Sequence, residues 1–388
     1  MTIRFITLGC RLNQAEEAIF AAEFSVAGWT VVQGEVQSDV VIVRSCAVTR
    51  QAERSTLQTL RALKLDVSED LLPFVVVTGC ATAAIPCLTL SEAGADLVVV
   101  KGDEADLLKI VGKAFGEGRR GAPVRVRPVA AFPSALVEPD ATPILPSTGT
   151  LWASPGRTPL CRHKDMALLK VQDGCAFRCS YCIVPFTRGA PVSLPFDAAI
   201  KCARDFCEAG FREIVLTGCN LACYADGKRG LPELISEICS LAADYGVNVS
   251  LGSIEPGICD DGIIDVMRNH QNFNRFIHLP IQSGDGRVLA LARRRYTGEQ
   301  IREILQNYRG KLDGLFLSGD FITGLPGEDE AAFMQTYSLV RDFAFDSIHV
   351  FPYSPRQGTA ALLQGERPSR ADAKARANML RALVKGDN

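Results

Sequence analysis

Apolar residues along this chain fall into short β-branched runs, separated by longer stretches in which apolar positions recur every three or four residues. The runs Ile3–Leu8, Val40–Val43, Phe74–Thr78 and Leu97–Val100 read as strands, and Gln14–Ala27, Gln51–Leu65 and Glu104–Phe115 read as helices. Such alternation implies a parallel sheet with helices on its faces. The pattern resumes at Met166. Strands are predicted at Leu168–Val171, Glu213–Thr217, Asn248–Leu251, Phe276–Leu279, Leu315–Ile322 and Ser347–Phe351. Helices are predicted at Phe196–Ala209, Leu231–Tyr245, Gly286–Ala292, Glu299–Arg309, Glu330–Phe343 and Arg370–Lys385. Residues 116–165 break the periodicity with prolines from Pro123 to Pro159 and read as a long linker.

The expected fold class is therefore α/β. Residues 1–115 form a Rossmann- or flavodoxin-like parallel sheet, and residues 166–388 form an incomplete barrel or curved open sheet of six β/α units. Ligands of both architectures bind at the carboxyl ends of the strands.

Composition narrows the setting. With 388 residues and 47% apolar content the chain can build more than one core. A net charge of −2 gives no general basic field, so a polyanionic partner would have to be held by local patches. No apolar run reaches the roughly 18 residues of a membrane helix, and the amino terminus reads straight into a strand without a signal peptide. The expectation is a cytoplasmic protein with no membrane partner. Its 14 cysteines are then metal ligands or small buried side chains rather than a disulfide scaffold.

Candidate chemistry starts with Cys175, Cys179 and Cys182, spaced C-x3-C-x2-C after the Leu168–Val171 run. Three cysteines can hold a cubane iron–sulfur cluster with one iron left open for a small molecule. Structural zinc asks for four ligands. Coincidental core cysteines are the bland alternative. Tyr181, inside the loop, either covers the open iron or simply packs. Cys10, Cys46 and Cys80 each follow a hydrophobic strand directly, and parallel strands end on one edge. The three therefore converge as a second metal trio, with helix starts nearby to favour thiolates.

Further candidates line the same rim. Gly218, in LTGCN, lets a ligand approach the backbone or merely turns the chain. Cys219 and Cys223 in that loop read as packing before ligands. Glu255, in SIEP, is placed to hold ribose hydroxyls or is a solvated surface acid. Gln282 and Ser283, in LPIQSG, bond a small-molecule carboxylate or cap the next helix. Gly324, in GDFITGLPGE, shapes a turn able to cradle an adenine. Arg293, Arg294 and Arg295 are a phosphate patch or a solvated face. The histidines, His278 and His349 among them, show no metal spacing and read as satisfied core or rim residues.

These residues resemble the radical S-adenosylmethionine methylthiotransferase family. GCAFRCSYCIVPFTRG resembles its signature loop, and HLPIQSGDGRVLALARRRYT, GDFITGLPGE and FPYSPRQGTAA follow its pattern in order. GCRLNQ, SCAVT and GSIEP look most like the branch that acts on threonylcarbamoyladenosine beside the tRNA anticodon. The resemblance implies two 4Fe–4S clusters and S-adenosylmethionine as cofactors. Cys175, Cys179 and Cys182 would hold the catalytic cluster, and Cys10, Cys46 and Cys80 an auxiliary one. Tyr181, Gly218, Glu255, Gln282 and Gly324 would contact S-adenosylmethionine. The implied partners are tRNA and a reductant such as flavodoxin or ferredoxin.

The implied reaction adds a methylthio group to C2 of the adenine. Alternatives are the same chemistry on isopentenyl-adenosine or a ribosomal-protein aspartate, and a non-catalytic iron–sulfur electron carrier. A cobalamin-dependent radical enzyme lacks support, because no D-x-H-x-x-G run is present. The family usually carries a small β-barrel RNA-binding domain (TRAM) after the radical domain. This sequence stops at Asn388, and a truncated sequence, a separate RNA-binding subunit or a shifted substrate would each explain that ending.

Overall fold

The computed structural model describes residues 1–65, 72–116, 124–125, 165–258 and 261–384. The linker expected over 116–165 lies outside these residues, apart from its ends and Val124–Arg125.

The amino-terminal part contains strands β1 (Thr2–Thr7), β2 (Thr30–Val32), β3 (Val40–Ser45), β4 (Phe74–Gly79), β5 (Leu97–Val98) and β6 (Val124–Arg125). Its helices are α1 (Arg11–Val26), α2 (Arg50–Ala62), α3 (Cys87–Glu92) and α4 (Leu107–Gly116). The strands form one parallel sheet in the order β2-β1-β3-β4-β5-β6. The order reverses between β1 and β3. In an open parallel sheet that reversal leaves a crevice at the carboxyl ends, where flavodoxin-type folds bind their ligands. Strands β3 and β4 are buried on both faces, as their continuous Val/Ile runs require.

The second part opens with β7 (Met166–Asp173), α5 (Val184–Arg188), β8 (Val192–Ser193), α6 (Phe196–Glu208) and β9 (Glu213–Gly218). A small ribbon, β10 (Ala225–Asp226) and β11 (Arg229–Gly230), leads to α7 (Leu231–Ala243), β12 (Asn248–Leu251) and α8 (Asp261–Asn269). Then follow β13 (Phe276–Gln282), α9 (Gly286–Leu291), α10 (Gly298–Lys311), β14 (Phe316–Thr323), α11 (Glu330–Asp342), β15 (Ser347–Pro352) and α12 (Arg370–Arg381).

The six long strands lie where the sequence placed them, in the order β7-β9-β12 and β13-β14-β15. Between β12 and β13 only an isolated parallel bridge, Val249–Phe273, remains. The arrangement is a partial barrel split into two sheets, and no closed barrel is present among the described residues.

Helix α1 joins the two parts. It packs on β1 and β2 of its own sheet and on β7 and β9 of the partial barrel. A helix covered on several sides must bury its polar positions too, and Asn13 and Glu16 are both fully buried.

Candidate active site

Cys10, Cys46 and Cys80 come together at the tips of β1, β3 and β4, on either side of and next to the strand-order reversal. Cys10 caps α1, Cys46 follows β3 directly, and Cys80 opens a short 3-10 turn, Cys80–Ala83. Gly9 makes the close approach possible. Its φ is +109°, and an added Cβ would lie 2.7 Å from Cys46 Cβ. Burial, together with nearby Cys80 and Cys10, pushes the Cys46 thiol up to about 11. Crowded thiols in a desolvated crevice resist becoming free anions, so their donor set suits a bound cation that takes the protons' place.

The second trio sits in the loop between β7 and α5. Gly174 turns the chain out of β7 with φ +70°, and a Cβ there would lie 2.0 Å from Ala190 O. Each sulfur accepts N–H hydrogen bonds. Phe177 N and Asn220 Nδ2 donate to Cys175 Sγ at 3.3 and 3.4 Å, Arg294 Nη1 to Cys179 Sγ at 3.2 Å, and Val184 N to Cys182 Sγ at 3.4 Å. Donors aimed at sulfur are how a protein stabilises a thiolate-ligated cluster. Cys223 belongs to the same neighbourhood. Its hydrogen bond with Cys175 brings the Cys223 thiol down to about 7 and pushes Cys175 well up. Sequence reasoning, which read Cys223 as packing, missed this contact; its position in the loop after a barrel strand was the available signal.

Arg294 organises the rest of this rim. Its guanidinium reaches Tyr181 Oη at 3.3 Å and Pro280 O at 2.9 Å, and also pairs with Glu255 and Tyr296. It is therefore a buried hub and not a free surface phosphate contact; only 3% of its side chain is exposed. Glu255 is spoken for by that ion pair, and burial raises its carboxyl above the ordinary range despite the arginine. Gln282 ends β13 with φ 75°, a left-handed conformation uncommon for a side-chain-bearing residue and frequent at functional sites. The room left by Gly218 is taken by Gln172 and Leu221 side chains. Gly324 backs onto Ala373 of α12, and its N–H donates to Glu328 Oε1 at 2.8 Å.

Between the two trios lies a buried knot of charge that sequence reasoning missed. Glu16 of α1 pairs with Lys101 at 2.9 Å, Lys170 of β7 at 2.8 Å, Arg188 of α5 at 2.9 Å, and also with Arg44 of β3. Asp173 binds Lys170 at 2.6 Å and Arg188 at 2.9 Å, while Glu104 binds Arg44 at 2.7 Å and also Lys101. Among the described residues this is four cations against three anions. Glu16 stands at its centre, and beside it lies Arg188. Burial opposes its charge, yet Cys80, Glu16, Asp173 and Cys10 together hold it firmly protonated. One side chain six residues past Cys182 thus faces the first trio. The signal in the sequence was Lys170, a lone cation inside a hydrophobic strand.

A cavity of about 190 Å3 opens beside both loops. Tyr181, Cys182 and Ile183 form one wall, Val48 and Thr49, just past Cys46, form another, and Gln282, Asp320 and Phe351 close it from the barrel side. The amino-terminal domain contributes directly to this chamber. It is held there by Arg356, which pairs with Glu53 of α2, and by Ser354 Oγ, which accepts from Arg50 N at 3.1 Å.

The chain matches the Radical SAM superfamily over residues 169–340 and the uncharacterized protein family UPF0004 over residues 2–100. It is 30% identical over 362 residues to the threonylcarbamoyladenosine tRNA methylthiotransferase MtaB of Bacillus subtilis, covering 93% of this chain and 75% of that one. It is 29% identical to the tRNA-2-methylthio-N(6)-dimethylallyladenosine synthase of Erythrobacter litoralis, covering 100% and 82%. Among solved structures, the radical S-adenosylmethionine methyltransferase TsrM from Kitasatospora setae, with cobalamin and a 4Fe–4S cluster bound, superposes with a TM-score of 0.65 at 14% identity over 93% of this chain and 76% of that one. That likeness concerns the fold.

The chain belongs to the radical S-adenosylmethionine methylthiotransferases. It is a tRNA-modifying transferase of the class that uses S-adenosylmethionine and two 4Fe–4S clusters. No described helix is long and apolar enough to cross a membrane.

Proposed function

We propose that the protein adds a methylthio group to C2 of N6-threonylcarbamoyladenosine beside the anticodon of tRNA. Cys175, Cys179 and Cys182 hold the cluster that binds S-adenosylmethionine, and Cys10, Cys46 and Cys80 hold the auxiliary cluster. The observation that carries the two-cluster chemistry is the shared chamber, which has Cys182 in one wall and the segment following Cys46 in another, and the likeness to MtaB of Bacillus subtilis supports the threonylcarbamoyl substrate. Methylthio transfer needs both centres to address one substrate atom, and positioning accounts for a large share of such rates.

The bound cofactors supply the radical that attacks an unactivated C–H position and the sulfur that replaces its hydrogen. The chain's own residues bind, orient and exclude water. Arg294 ties Cys179, Tyr181 and Glu255 into one rigid rim. Tyr181, packed against Val288, Leu325 and Ala332, closes the chamber wall beside the loop. Arg188 places a fixed positive charge under the amino-terminal cysteines, where ligated thiolates concentrate negative charge. Tyr181, Glu255, Gln282, Gly218 and Gly324 border the S-adenosylmethionine site, Gly218 and Gly324 by letting Gln172 and α12 pack close behind it. The substrate partner is tRNA, and the electron comes from a flavodoxin- or ferredoxin-type reductant.

Nucleoside mass spectrometry of tRNA from a strain lacking the gene tests the substrate. The methylthio form of threonylcarbamoyladenosine should vanish while its precursor accumulates. Loss of the methylthio-isopentenyl nucleoside instead would assign the reading favoured by the dimethylallyl-specific relatives. An unchanged profile would defeat both.

A further inference from the structure

Strands β13, β14 and β15 carry a second polar constellation that the cluster chemistry does not use. Asp320 lines the chamber, and in the sheet register it pairs with His349. Asp320 Oδ1 lies 3.0 Å from His278 Nε2 and 3.1 Å from His349 Nδ1, and the two imidazole rings are 5.3 Å apart. A carboxylate only accepts, so both ring nitrogens donate to it. His278 is held from behind: its Nδ1 is 2.9 Å from Ser318 Oγ. Three strands thus fix one aspartate and two histidines in a set orientation. Asp320 Oδ2 and His349 Nε2 form no hydrogen bonds among the described residues, and the His349 side chain is 59% exposed. The neighbouring wall, Ile322 and Phe351, is apolar.

We infer that Asp320 and His349, backed by His278, form the subsite for the N6 substituent of the substrate adenine, and that this substituent is a polar acyl group bearing a hydroxyl and a carboxylate. The inference rests on the threonylcarbamoyl reading above and says which residues enforce it. With Nδ1–H committed to Asp320, Nε2 is the nitrogen left to meet a ligand: without a proton it accepts from the substituent's hydroxyl or carbamoyl N–H, and with one it donates to the substituent's carboxylate. Asp320 Oδ2 is left to accept from the hydroxyl or a carbamoyl N–H. A hydrocarbon substituent would bury both groups without partners, and sites built to hydrogen-bond a substrate discriminate strongly against analogues that cannot.

A divalent cation is the competing occupant, because one nitrogen or oxygen from each of the three residues lies within 4.8 Å of the others. A cation would have to break both N–H···Oδ1 bonds that orient the group.

The test uses the full chain with both clusters reconstituted and two anticodon stem-loop RNAs, one carrying threonylcarbamoyladenosine and one isopentenyladenosine. His349→Ala should raise KM for the first RNA about tenfold or more, the worth of one charge-assisted hydrogen bond, with a smaller change in kcat. His349→Gln, which keeps a donor, should recover part of the loss. Iron content equal to wild type shows that each variant is folded. Wild-type turnover of the threonylcarbamoyl RNA with KM unchanged in His349→Ala overturns the subsite and leaves the substrate reading intact. Wild-type turnover of the isopentenyl RNA alone overturns the substrate reading and the subsite with it. Electron paramagnetic resonance showing Mn2+ bound by wild type and lost in His349→Ala also overturns the subsite.

Discussion

A methyl group on Gly9 would lie 2.7 Å from Cys46 Cβ and 2.8 Å from Cys46 Sγ, in a backbone conformation with φ +109°. Gly9→Ala should therefore cost about 1–3 kcal/mol in denaturant unfolding and spread the amino-terminal cysteines. Removing a ligand is a cleaner test of the proposed assignment. Anaerobic reconstitution should give about eight irons per chain, four for each cubane. Cys10→Ala should lose about half of them and still cleave S-adenosylmethionine; full retention of iron would exclude an auxiliary cluster held by that residue. The grouping of the cysteines was legible in the sequence because Cys175, Cys179 and Cys182 share one loop, while Cys10, Cys46 and Cys80 each follow a strand and parallel strands end together. Arg188, Arg294 and the pair His278–His349 were not legible as parts of sites. Their partners Asn13, Tyr181, Glu255 and Ser318 lie between 39 and 175 residues away, and only register and packing bring them together.

At the scale of elements, α1 meets both sheets through Glu16. The carboxyls of Glu16, Glu104 and Asp173 all sit below their ordinary values. Burial works against each charge, but the surrounding arginines and lysines outweigh it. Depressed folded values mean that this stabilisation is complete above about pH 4–5, the ordinary carboxylate range, and is lost as pH falls through the lower folded values. Calorimetry should show a Tm that this network leaves unchanged from pH 8 to 5 and that falls steeply below about pH 4. Glu16→Gln should cost about 3–5 kcal/mol at neutral pH, since it leaves buried cations under-compensated, and should flatten the acid limb. An acid limb as steep as wild type in that variant would show that the knot is not the titrating element. The helical pattern of α1 was readable, as were its ends to within three residues. Its double burial was not, because the second surface it covers comes from a strand some 150 residues later.

For the whole molecule, the six barrel strands came out at their expected positions because each is a compact apolar run bounded by turn residues. The split between β12 and β13 could not be read. It depends on β12 being only four residues long and on Val249 reaching across to Phe273 by a single bridge. Interdomain contacts as polar and as buried as those of Glu16 predict one cooperative transition in urea for both parts, with circular dichroism and cluster absorbance lost together. Two separated transitions would show that the parts fold independently and meet only loosely.

The charge knot also limits how the gene can be recombined. An amino-terminal module grafted from a relative without an acid at position 16 would press Lys170 and Arg188 into a dry seam with one anion, Asp173, between them. A working graft therefore keeps Glu16 on one side of the cut matched to Lys170, Asp173 and Arg188 on the other.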